Sequence, residues 1–335
     1  MAANDIPFSQ WRKIAMATWG TRNDGWIMAD LDIDARKAID YIADARAATG
    51  AHVTMMHLVG RASALVVDEL PVLNGRVVAG RFRPASTIDI FFTVSMRNDV
   101  TSDGHDAEAT DLSGAVVREV DRKPPWQIAE ELDERAQRIR SGNDPMFKAT
   151  KQLTQLMPPM VLRSFVNTTT FLTEQLQLPI PPLGLEARPF GAVLVTNIGT
   201  FGLDRAYAPM PSMCKAPINV AVGHVKDMPV ADNGAVVVRP VLPLTAGIDH
   251  RFIDGYQAAT ISRIFRAYLE DPASVDPIPG PKTASKKSTK TASKKKATSK
   301  KKATAKKATT KRKTTKKKAT RKKAATKRPS AERSD

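Results

Sequence analysis

The hydrophobic and polar positions along the chain follow two periods, one typical of helices and one typical of strands. Apolar residues at helical spacing predict helices over 7–19, from Asp34 to about Ala48, from Thr54 to Leu70 and from Trp126 to about Arg140. Segments rich in β-branched residues predict strands over 25–33, 77–79, 88–94 and 112–120, with Arg81–Pro84 expected as a break. Helices and strands alternate without a strict rhythm, which favours a mixed sheet backed by helices over a doubly wound parallel sheet.

The hydrophobic periodicity is clearest after residue 230. Asn233-Gly234 is a strong signal for a tight turn between strands, and the Val- and Leu-rich run 235–244 behind it predicts a strand. Further along, apolar residues recur at helical spacing over 258–269, and the pattern stops just before Pro272. The residues between this strand and this helix therefore form a turn at an edge of the sheet, and His250 lies in that turn.

His250 and Asp254, four residues apart, are the first candidates for chemistry. Imidazole titrates near neutral pH, so His250 could take a proton from a thiol or hydroxyl and return it. Asp254 could hold the turn in shape. The alternatives are that His250 is an ordinary histidine and that Asp254 is a helix N-cap, because Asp254 and Gln257 have capping-box spacing. A capping role for Asp254 is compatible with a functional turn.

The stretch IDHRFIDG, followed by a helix ending in LEDP, resembles the D-H-R-x-x-D-G signature of the acyltransferase component of 2-oxoacid dehydrogenase complexes. The resemblance extends over most of residues 7–275, through WRKIA near the start, DELPVLNG, and VLVTNIGTFG at 193–202. Chloramphenicol acetyltransferase shares the fold of that family. The resemblance therefore implies an α/β (α+β) domain with a chloramphenicol acetyltransferase-like mixed sheet flanked by helices.

The same resemblance implies an active site. His250 would be the general base that deprotonates the thiol of coenzyme A or of a dihydrolipoyl arm, and the Thr196 hydroxyl would stabilise the oxyanion. Arg12 would contact Asp254 and orient the turn. Judged without the family, Thr196 is an ordinary strand residue and Arg12 a solvated charge on a helix. Relatives place this site between subunits, so we expect a homotrimer.

Ligands are expected to be substrates rather than resident cofactors. Asn197 and Gly199 follow Thr196, where the backbone can turn tightly and let a substrate approach. No phosphate-binding glycine motif occurs, so coenzyme A would be held in another way. The single cysteine, Cys214, argues against a disulfide framework and a structural zinc site, and no metal is expected. No lipoyl domain is recognised, so a lipoyl group would come from another chain.

Residues 151–190 depart from the family, whose connection is shorter here. The stretch is apolar and is broken at Pro158-Pro159 and over 179–182. One hypothesis is a lid or wall for a long acyl chain, or an element that touches a membrane. The favoured one is a helical hairpin packed on the core.

The charge divides the chain in two. Residues 281–335 hold 24 of the 52 Lys and Arg but two of the 34 acids, a net charge of +22, whereas residues 1–280 have a net charge of −4. We therefore expect an acyltransferase catalytic domain over 1–280 and a disordered polycationic tail over 281–335, similar to the tails of linker histones. The tail is expected to bind DNA or another polyanion through its lysine clusters, Lys294, Lys295, Lys296, Lys316, Lys317 and Lys318.

No signal-peptide region or membrane-length apolar run is seen, so a cytoplasmic and nucleoid-associated protein is expected. Two other functions stay open at this point. One is a stand-alone acetyltransferase that uses coenzyme A on a small alcohol or amine. The other is a non-catalytic trimeric platform for a DNA-binding tail.

Overall fold

The computed structural model describes residues 25–78, 81–95, 112–141, 158–211 and 213–280. The helix predicted over 7–19, with Arg12, and the tail 281–335, with its six named lysines, lie outside these ranges. No helix within the described ranges is both long enough and apolar enough to cross a membrane.

Strands and helices alternate irregularly along the described chain. The strands are β1 (Trp26–Asp34), β2 (Gly75–Val78), β3 (Arg81–Pro84), β4 (Ile90–Ser95), β5 (Leu112–Val117), β6 (Val193–Asn197), β7 (Ile218–Val222), β8 (Lys226–Asp232) and β9 (Ala235–Asp249). The α-helices are α1 (Arg36–Thr49), α2 (Met55–Glu69), α3 (Pro125–Arg140), α4 (Pro159–Thr170) and α5 (Gly255–Glu270). A π-helical turn, Phe171–Gln175, continues α4.

The main sheet is mixed, as the sequence predicts. Its strand order is β1-β9-β7-β6-β4-β5, and β8 pairs with the first half of β9. β6 is parallel to both β4 and β7, whereas β9 is antiparallel to β1 and β7. The predicted turn at Asn233-Gly234 is confirmed: both residues have positive φ, 49° and 84°, as a tight hairpin between twisted strands requires.

The two faces of the sheet are covered differently. On one face α1, α2, α3 and α5 bury a large apolar core that includes Leu58, Phe92 and Phe265. On the other face a small cluster around Phe91 and Leu194 is covered by the irregular chain near Cys214. Neighbouring residues of one strand serve opposite faces because successive side chains of a strand point in opposite directions.

The strands differ from the prediction at two places. Arg81–Pro84, expected as a break, is the strand β3 and pairs with β2 as a separate two-stranded sheet. β3 alternates exposed Arg81 and Arg83 with buried Phe82, and its stability comes from pairing rather than from a hydrophobic run. The strand predicted over 112–120 ends at Val117, because the chain turns at Glu119, which has φ 48°.

The helix predicted to begin at Asp34 begins at Arg36. The N-cap of α1 is Ala35, whose side chain makes no capping bond. Asp34 instead accepts from the backbone N–H of Arg36 over 3.1 Å and from its guanidinium over 2.7 Å. The carboxylate therefore still satisfies one of the free N–H groups at the start of the helix, from one position earlier.

The described part of the 151–190 segment, residues 158–190, contains one α-helix, α4, whereas residues 151–157, where the other helix of the predicted hairpin would lie, are outside the described ranges. Val161, Phe171 and Leu178 are 52%, 45% and 51% exposed, and therefore do not form a buried packing face. A buried ion pair connects the segment to the rest of the fold. Glu174 and Arg76, both fully buried, pair at 2.7 Å, and the second carboxylate oxygen of Glu174 accepts from the backbone N–H of Phe190 over 3.1 Å.

Candidate active site

The end of β9 delivers His250 to the edge of the sheet, as the sequence predicts. The Asp249 N–H donates to the Pro217 carbonyl over 2.9 Å, and the His250 N–H donates to the Gly25 carbonyl over 2.7 Å. Two residues later Phe252 and Ile253 are 3% and 2% exposed and anchor the turn in the core. The backbone of the turn is thus fixed by both hydrogen bonds and apolar burial.

The imidazole of His250 has a defined tautomer. Its Nδ1 lies 2.6 Å from the backbone carbonyl oxygen of Ile253. A carbonyl oxygen can only accept, so Nδ1 must carry the hydrogen and donate it. In the neutral ring Nε2 then holds the lone pair, and it is the atom that can take a proton from a substrate. A half-buried histidine oriented in this way has the geometry of a general base.

The neighbours of His250 in sequence form a second support for the turn. Asp249 is 1% exposed, and its carboxylate accepts from the Arg251 backbone N–H over 3.0 Å and from the Arg251 guanidinium over 2.6 Å. A buried carboxylate needs such a partner. The contacts between Asp249 and Arg251 therefore also stabilise the turn.

Asp254 is the N-cap of α5. Its carboxylate accepts from the Tyr256 N–H over 2.9 Å, and its own N–H donates to the Gln257 side chain over 2.9 Å. This is the capping box predicted from the sequence. Arg12, the expected partner of Asp254, lies outside the described residues.

Thr196 lies in β6, next to Thr93 of the parallel strand β4. Thr93 Oγ1 donates to Thr196 Oγ1 over 2.9 Å. Because Thr196 accepts from Thr93, its own hydroxyl proton is available to another group. The sequence contained no local signal for Thr93, since the contact depends on the pairing of two strands about 100 residues apart.

Thr196 and Asn197 line a cavity of about 510 Å³. The wall combines hydroxyl and amide groups with apolar side chains, among them Met56, Leu132 and Phe201. Gly199 is not part of this wall. A Cβ on Gly199 would lie 2.6 Å from the Gly223 carbonyl oxygen, so close packing of two backbone segments explains this glycine. Of the two predicted substrate-binding residues, Asn197 therefore borders the cavity and Gly199 does not.

His57, near the start of α2, also lines the cavity. It is 6% exposed, and burial lowers its pKa to about 3, with smaller contributions from His52 and Arg46. Its position three residues after the N-cap Thr54 is a capping-box signal, which could have identified its backbone contact. Nothing in the sequence indicates that it lines the same cavity as Thr196.

The structure does not bring His250 and Thr196 together within one chain. Thr196 pairs with Ala221 of β7, and Ala221 pairs with Thr245 of β9. His250 is five residues beyond Thr245, a separation of roughly 16 Å along the strand direction at about 3.3 Å per residue. The two side chains therefore lie at opposite ends of the sheet.

Within the described residues, no group of three or more His, Cys, Asp and Glu side chains is placed to hold a metal ion.

The fold matches solved acyltransferase cores. A probable dihydrolipoamide acetyltransferase from Listeria monocytogenes aligns with a TM-score of 0.53 and 18% identity, covering 80% of this chain and 95% of that one. The cubic core of the pyruvate dehydrogenase multienzyme complex aligns with a TM-score of 0.53 and 20% identity, covering 81% of this chain and 93% of that one. The fold is that of a dihydrolipoamide acetyltransferase core. The predicted mixed sheet flanked by helices is confirmed.

A family model locates one region of sequence similarity within this fold. Residues 190–275 match the family model for the catalytic domain of 2-oxoacid dehydrogenase acyltransferases. These residues contain both Thr196 and His250. The described part of the 151–190 segment lies almost wholly outside the match.

Two curated relatives illustrate the range of similarity. The dihydrolipoyllysine-residue acetyltransferase component of the acetoin cleaving system of Bacillus subtilis is 23% identical over 226 residues, which are 68% of this chain and 44% of that protein. A probable dihydrolipoyllysine-residue succinyltransferase component of the 2-oxoglutarate dehydrogenase complex of Schizosaccharomyces pombe is 33% identical over 93 residues, which are 28% of this chain and 20% of that protein. The chain thus spans less than half the length of these relatives.

Proposed function

We propose that this chain transfers an acyl group between coenzyme A and a thiol of the dihydrolipoyl type. The observation that carries the proposal is the bond from His250 Nδ1 to the Ile253 carbonyl, because it leaves Nε2 as the basic nitrogen. The names of the curated relatives, which are acetyl- and succinyltransferases acting on dihydrolipoyllysine residues, support the same reaction class.

The proposed reaction is an exchange of one thioester for another. Nε2 of His250 takes the proton of the acceptor thiol, and the thiolate forms a bond to the carbonyl carbon of the acyl donor. The carbonyl oxygen becomes an oxyanion, which the Thr196 hydroxyl stabilises by donating a hydrogen bond. The original carbon–sulfur bond then breaks, and the imidazolium returns the proton to the departing thiolate. Protons and electron pairs balance without a metal or a redox cofactor.

Asp254 and Arg12 have supporting roles in this proposal. The carboxylate of Asp254 is engaged by the N-terminus of α5, so it positions the turn and does not exchange protons with the substrate. Arg12 would bind the remaining face of Asp254, as the family resemblance implies.

The distance between His250 and Thr196 has a consequence for the oligomeric state. Both side chains must approach the same carbonyl group, and roughly 16 Å along the sheet prevents this within one chain. A homotrimer with the active site between subunits resolves the difficulty, since His250 of one copy would face Thr196 of the next. Subunit symmetry then provides equivalent sites.

Subunit mixing tests this arrangement directly. His250→Ala and Thr196→Ala proteins, each of low activity alone, are dissociated together and reassembled. Some interfaces then contain both native residues, so activity should return in the mixture, whereas His250→Ala mixed with itself should stay inactive. A mixture that forms hybrid oligomers but regains no activity would refute the shared site.

The reaction itself is tested by thioester exchange on the purified protein. Free dihydrolipoamide is offered with a series of acyl-CoAs, and a parallel panel replaces the dithiol with small alcohols and amines. Acyl transfer to the dithiol supports the proposal, and the lipoyl group would then arrive on another chain. Transfer to an alcohol or amine only would favour the stand-alone acetyltransferase.

A second function is proposed for residues 281–335. Their net charge of +22 is concentrated in 55 residues that lack aromatic side chains. Such a segment attracts any polyanion through counterion release and cannot read base edges. We therefore propose that this tail, including Lys294–Lys296 and Lys316–Lys318, binds DNA without sequence preference and holds the enzyme near the nucleoid.

A further inference from the structure

The cavity beside Thr196 contains a buried histidine that the proposed mechanism does not use. His57, near the start of α2, forms part of the wall together with Thr93, Thr196, Met56, Leu132 and Phe201. The imidazole is 6% exposed and packs near Phe92, with 6.4 Å between ring centroids.

The tautomer of His57 is fixed by its own helix. The Thr54 backbone N–H donates to His57 Nδ1 over 3.0 Å. A backbone N–H can only donate, so Nδ1 must hold the lone pair. Burial keeps the ring neutral, with a pKa of about 3, and its single hydrogen is therefore on Nε2. His57 thus has the opposite tautomer to His250.

The Nε2–H of His57 has no hydrogen-bond acceptor among the described residues. The enclosed side-chain atoms without a partner are Asp121 Oδ1, Gln177 Nε2 and Arg188 Nε. Since His57 Nε2 is not one of these, it remains accessible, and His57 lines the cavity. A donor held this rigidly in a cavity wall is suited to a ligand oxygen.

The side chains of the cavity wall limit the class of ligand that can bind there. No Lys or Arg is among the described residues that line the cavity, and its one acidic residue is Asp133. A phosphate would therefore be bound poorly. Apolar side chains and neutral donors suit a neutral chain that carries amide groups. The arms of coenzyme A and of dihydrolipoamide both connect a thiol to an amide group through alkyl carbons.

We propose that His57 is a substrate-binding residue whose Nε2–H donates to the amide carbonyl of the thiol-bearing arm. This inference rests on the proposed acyl transfer. In this proposal the cavity holds the thiol-bearing arm, and the thiol end of the arm lies toward Thr196. Because the hydrogen bond is made equally in the ground state and the transition state, its loss raises KM and leaves kcat nearly unchanged.

The test measures binding to the full chain by calorimetry with three probes: pantetheine, coenzyme A and dihydrolipoamide. His57→Leu, which removes the donor, should weaken binding of the arm that occupies the cavity by about tenfold, the effect of a lost hydrogen bond that leaves a carbonyl unpaired. If His57→Leu loses affinity for pantetheine and coenzyme A, the cavity binds the coenzyme. If it loses affinity for dihydrolipoamide alone, the cavity binds the acceptor.

Two further variants separate binding from folding. His57→Gln offers an oxygen to the Thr54 N–H and an N–H₂ to the cavity, so it should recover most of the affinity. His224→Leu is the matched control, because His224 is exposed and is not part of the cavity wall. If His57→Leu does not fold, the imidazole ¹⁵N signals of the wild-type protein are followed instead, and Nε2 of His57 should shift when pantetheine or dihydrolipoamide is added.

Wild-type affinity of a folded His57→Leu for all three probes would overturn the inference, as would an unchanged Nε2 signal at saturating pantetheine and dihydrolipoamide. The proposed function fails in a different way. A wild-type protein that binds an arm through His57 but transfers no acyl group supports the binding role and rejects the reaction. An active enzyme whose KM does not depend on His57 rejects the binding role alone.

Discussion

Thr93 donates a hydrogen bond to Thr196, with 2.9 Å between the two hydroxyl oxygens. The bond orients Thr196 so that its own proton can reach a developing oxyanion. Thr93→Val should therefore lower kcat about fivefold, the effect of one neutral hydrogen bond, while KM stays near its wild-type value. Thr93→Ser should restore kcat. Steady-state kinetics of thioester exchange provide the measurement.

Thr168→Val is the control for this change. Thr168 is an exposed residue of α4 whose hydroxyl bonds the Ser164 carbonyl in its own helix. Its replacement should leave both constants unchanged. Wild-type kcat in Thr93→Val would show that Thr196 needs no orienting partner.

His250→Ala should abolish acyl transfer while the protein stays folded, because Phe252 and Ile253 continue to anchor the turn. Thr196→Ala should be slower than wild type by about 100- to 1000-fold, the usual effect of losing one oxyanion donor. Circular dichroism checks the fold, and single-turnover kinetics check the rates. Wild-type turnover of His250→Ala with every acyl-CoA would contradict the enzymatic function.

The parts of this molecule that the sequence predicts well are those set by local interactions. Asn233-Gly234 specifies its turn through backbone preferences, and Asp254 with Gln257 specifies the start of α5 through a capping box. The position of His250 between a strand and a helix follows from these two signals. Its proposed role came from the resemblance of IDHRFIDG to a family signature.

The parts that the sequence does not predict depend on residues far apart in the chain. β3 is a strand because β2 pairs with it, although Arg81 and Arg83 give it no hydrophobic run. Thr93 reaches Thr196 only through the register of β4 and β6. Burial of His57 in the cavity wall depends likewise on the packing of α2 on the sheet.

The buried pair Arg76–Glu174 should hold the 158–190 segment to the rest of the domain. Glu174→Gln leaves the Arg76 guanidinium without its counterion at 2% exposure, so the free energy of unfolding should fall by about 3–5 kcal/mol. Urea unfolding measures this loss. Protease cleavage within 158–190 should also accelerate.

Glu134→Gln is the matched control. Glu134 pairs with Arg138 one turn along α3, and both side chains are 63% exposed. Exposed pairs of this kind contribute about 0.5 kcal/mol or less. Equal losses in the two variants would show that the buried pair has no special role in holding the segment.

Stability should depend on pH through His57. Burial lowers its pKa to about 3, whereas the imidazole of the unfolded chain titrates near 6.5. Between these values the unfolded state binds one more proton, so the free energy of unfolding falls as pH falls, by about 1.4 kcal/mol per pH unit. His57→Gln should lose about 2 kcal/mol less than wild type between pH 6.5 and 5 in urea unfolding.

His224→Gln serves as the control for that titration, because His224 is exposed and should leave the pH dependence unchanged. The same dependence in wild type and His57→Gln would mean that the pKa of His57 is alike in the folded and unfolded protein, so that the folded ring gains a second hydrogen between pH 6.5 and 5. The assignment of its hydrogen to Nε2 alone would then be wrong.

The polycationic tail should make DNA binding steeply dependent on salt. If about six to ten of its 24 cations meet phosphates, affinity should fall about a thousandfold or more between roughly 50 and 200 mM salt, because each contact releases a condensed counterion. Gel shifts of the full chain and of residues 1–280 on unrelated DNA sequences measure this. The shorter chain has a net charge of −4 and should not shift any of them. Equal binding by both chains, or a shift insensitive to salt, would show that the tail is not the element that binds nucleic acid.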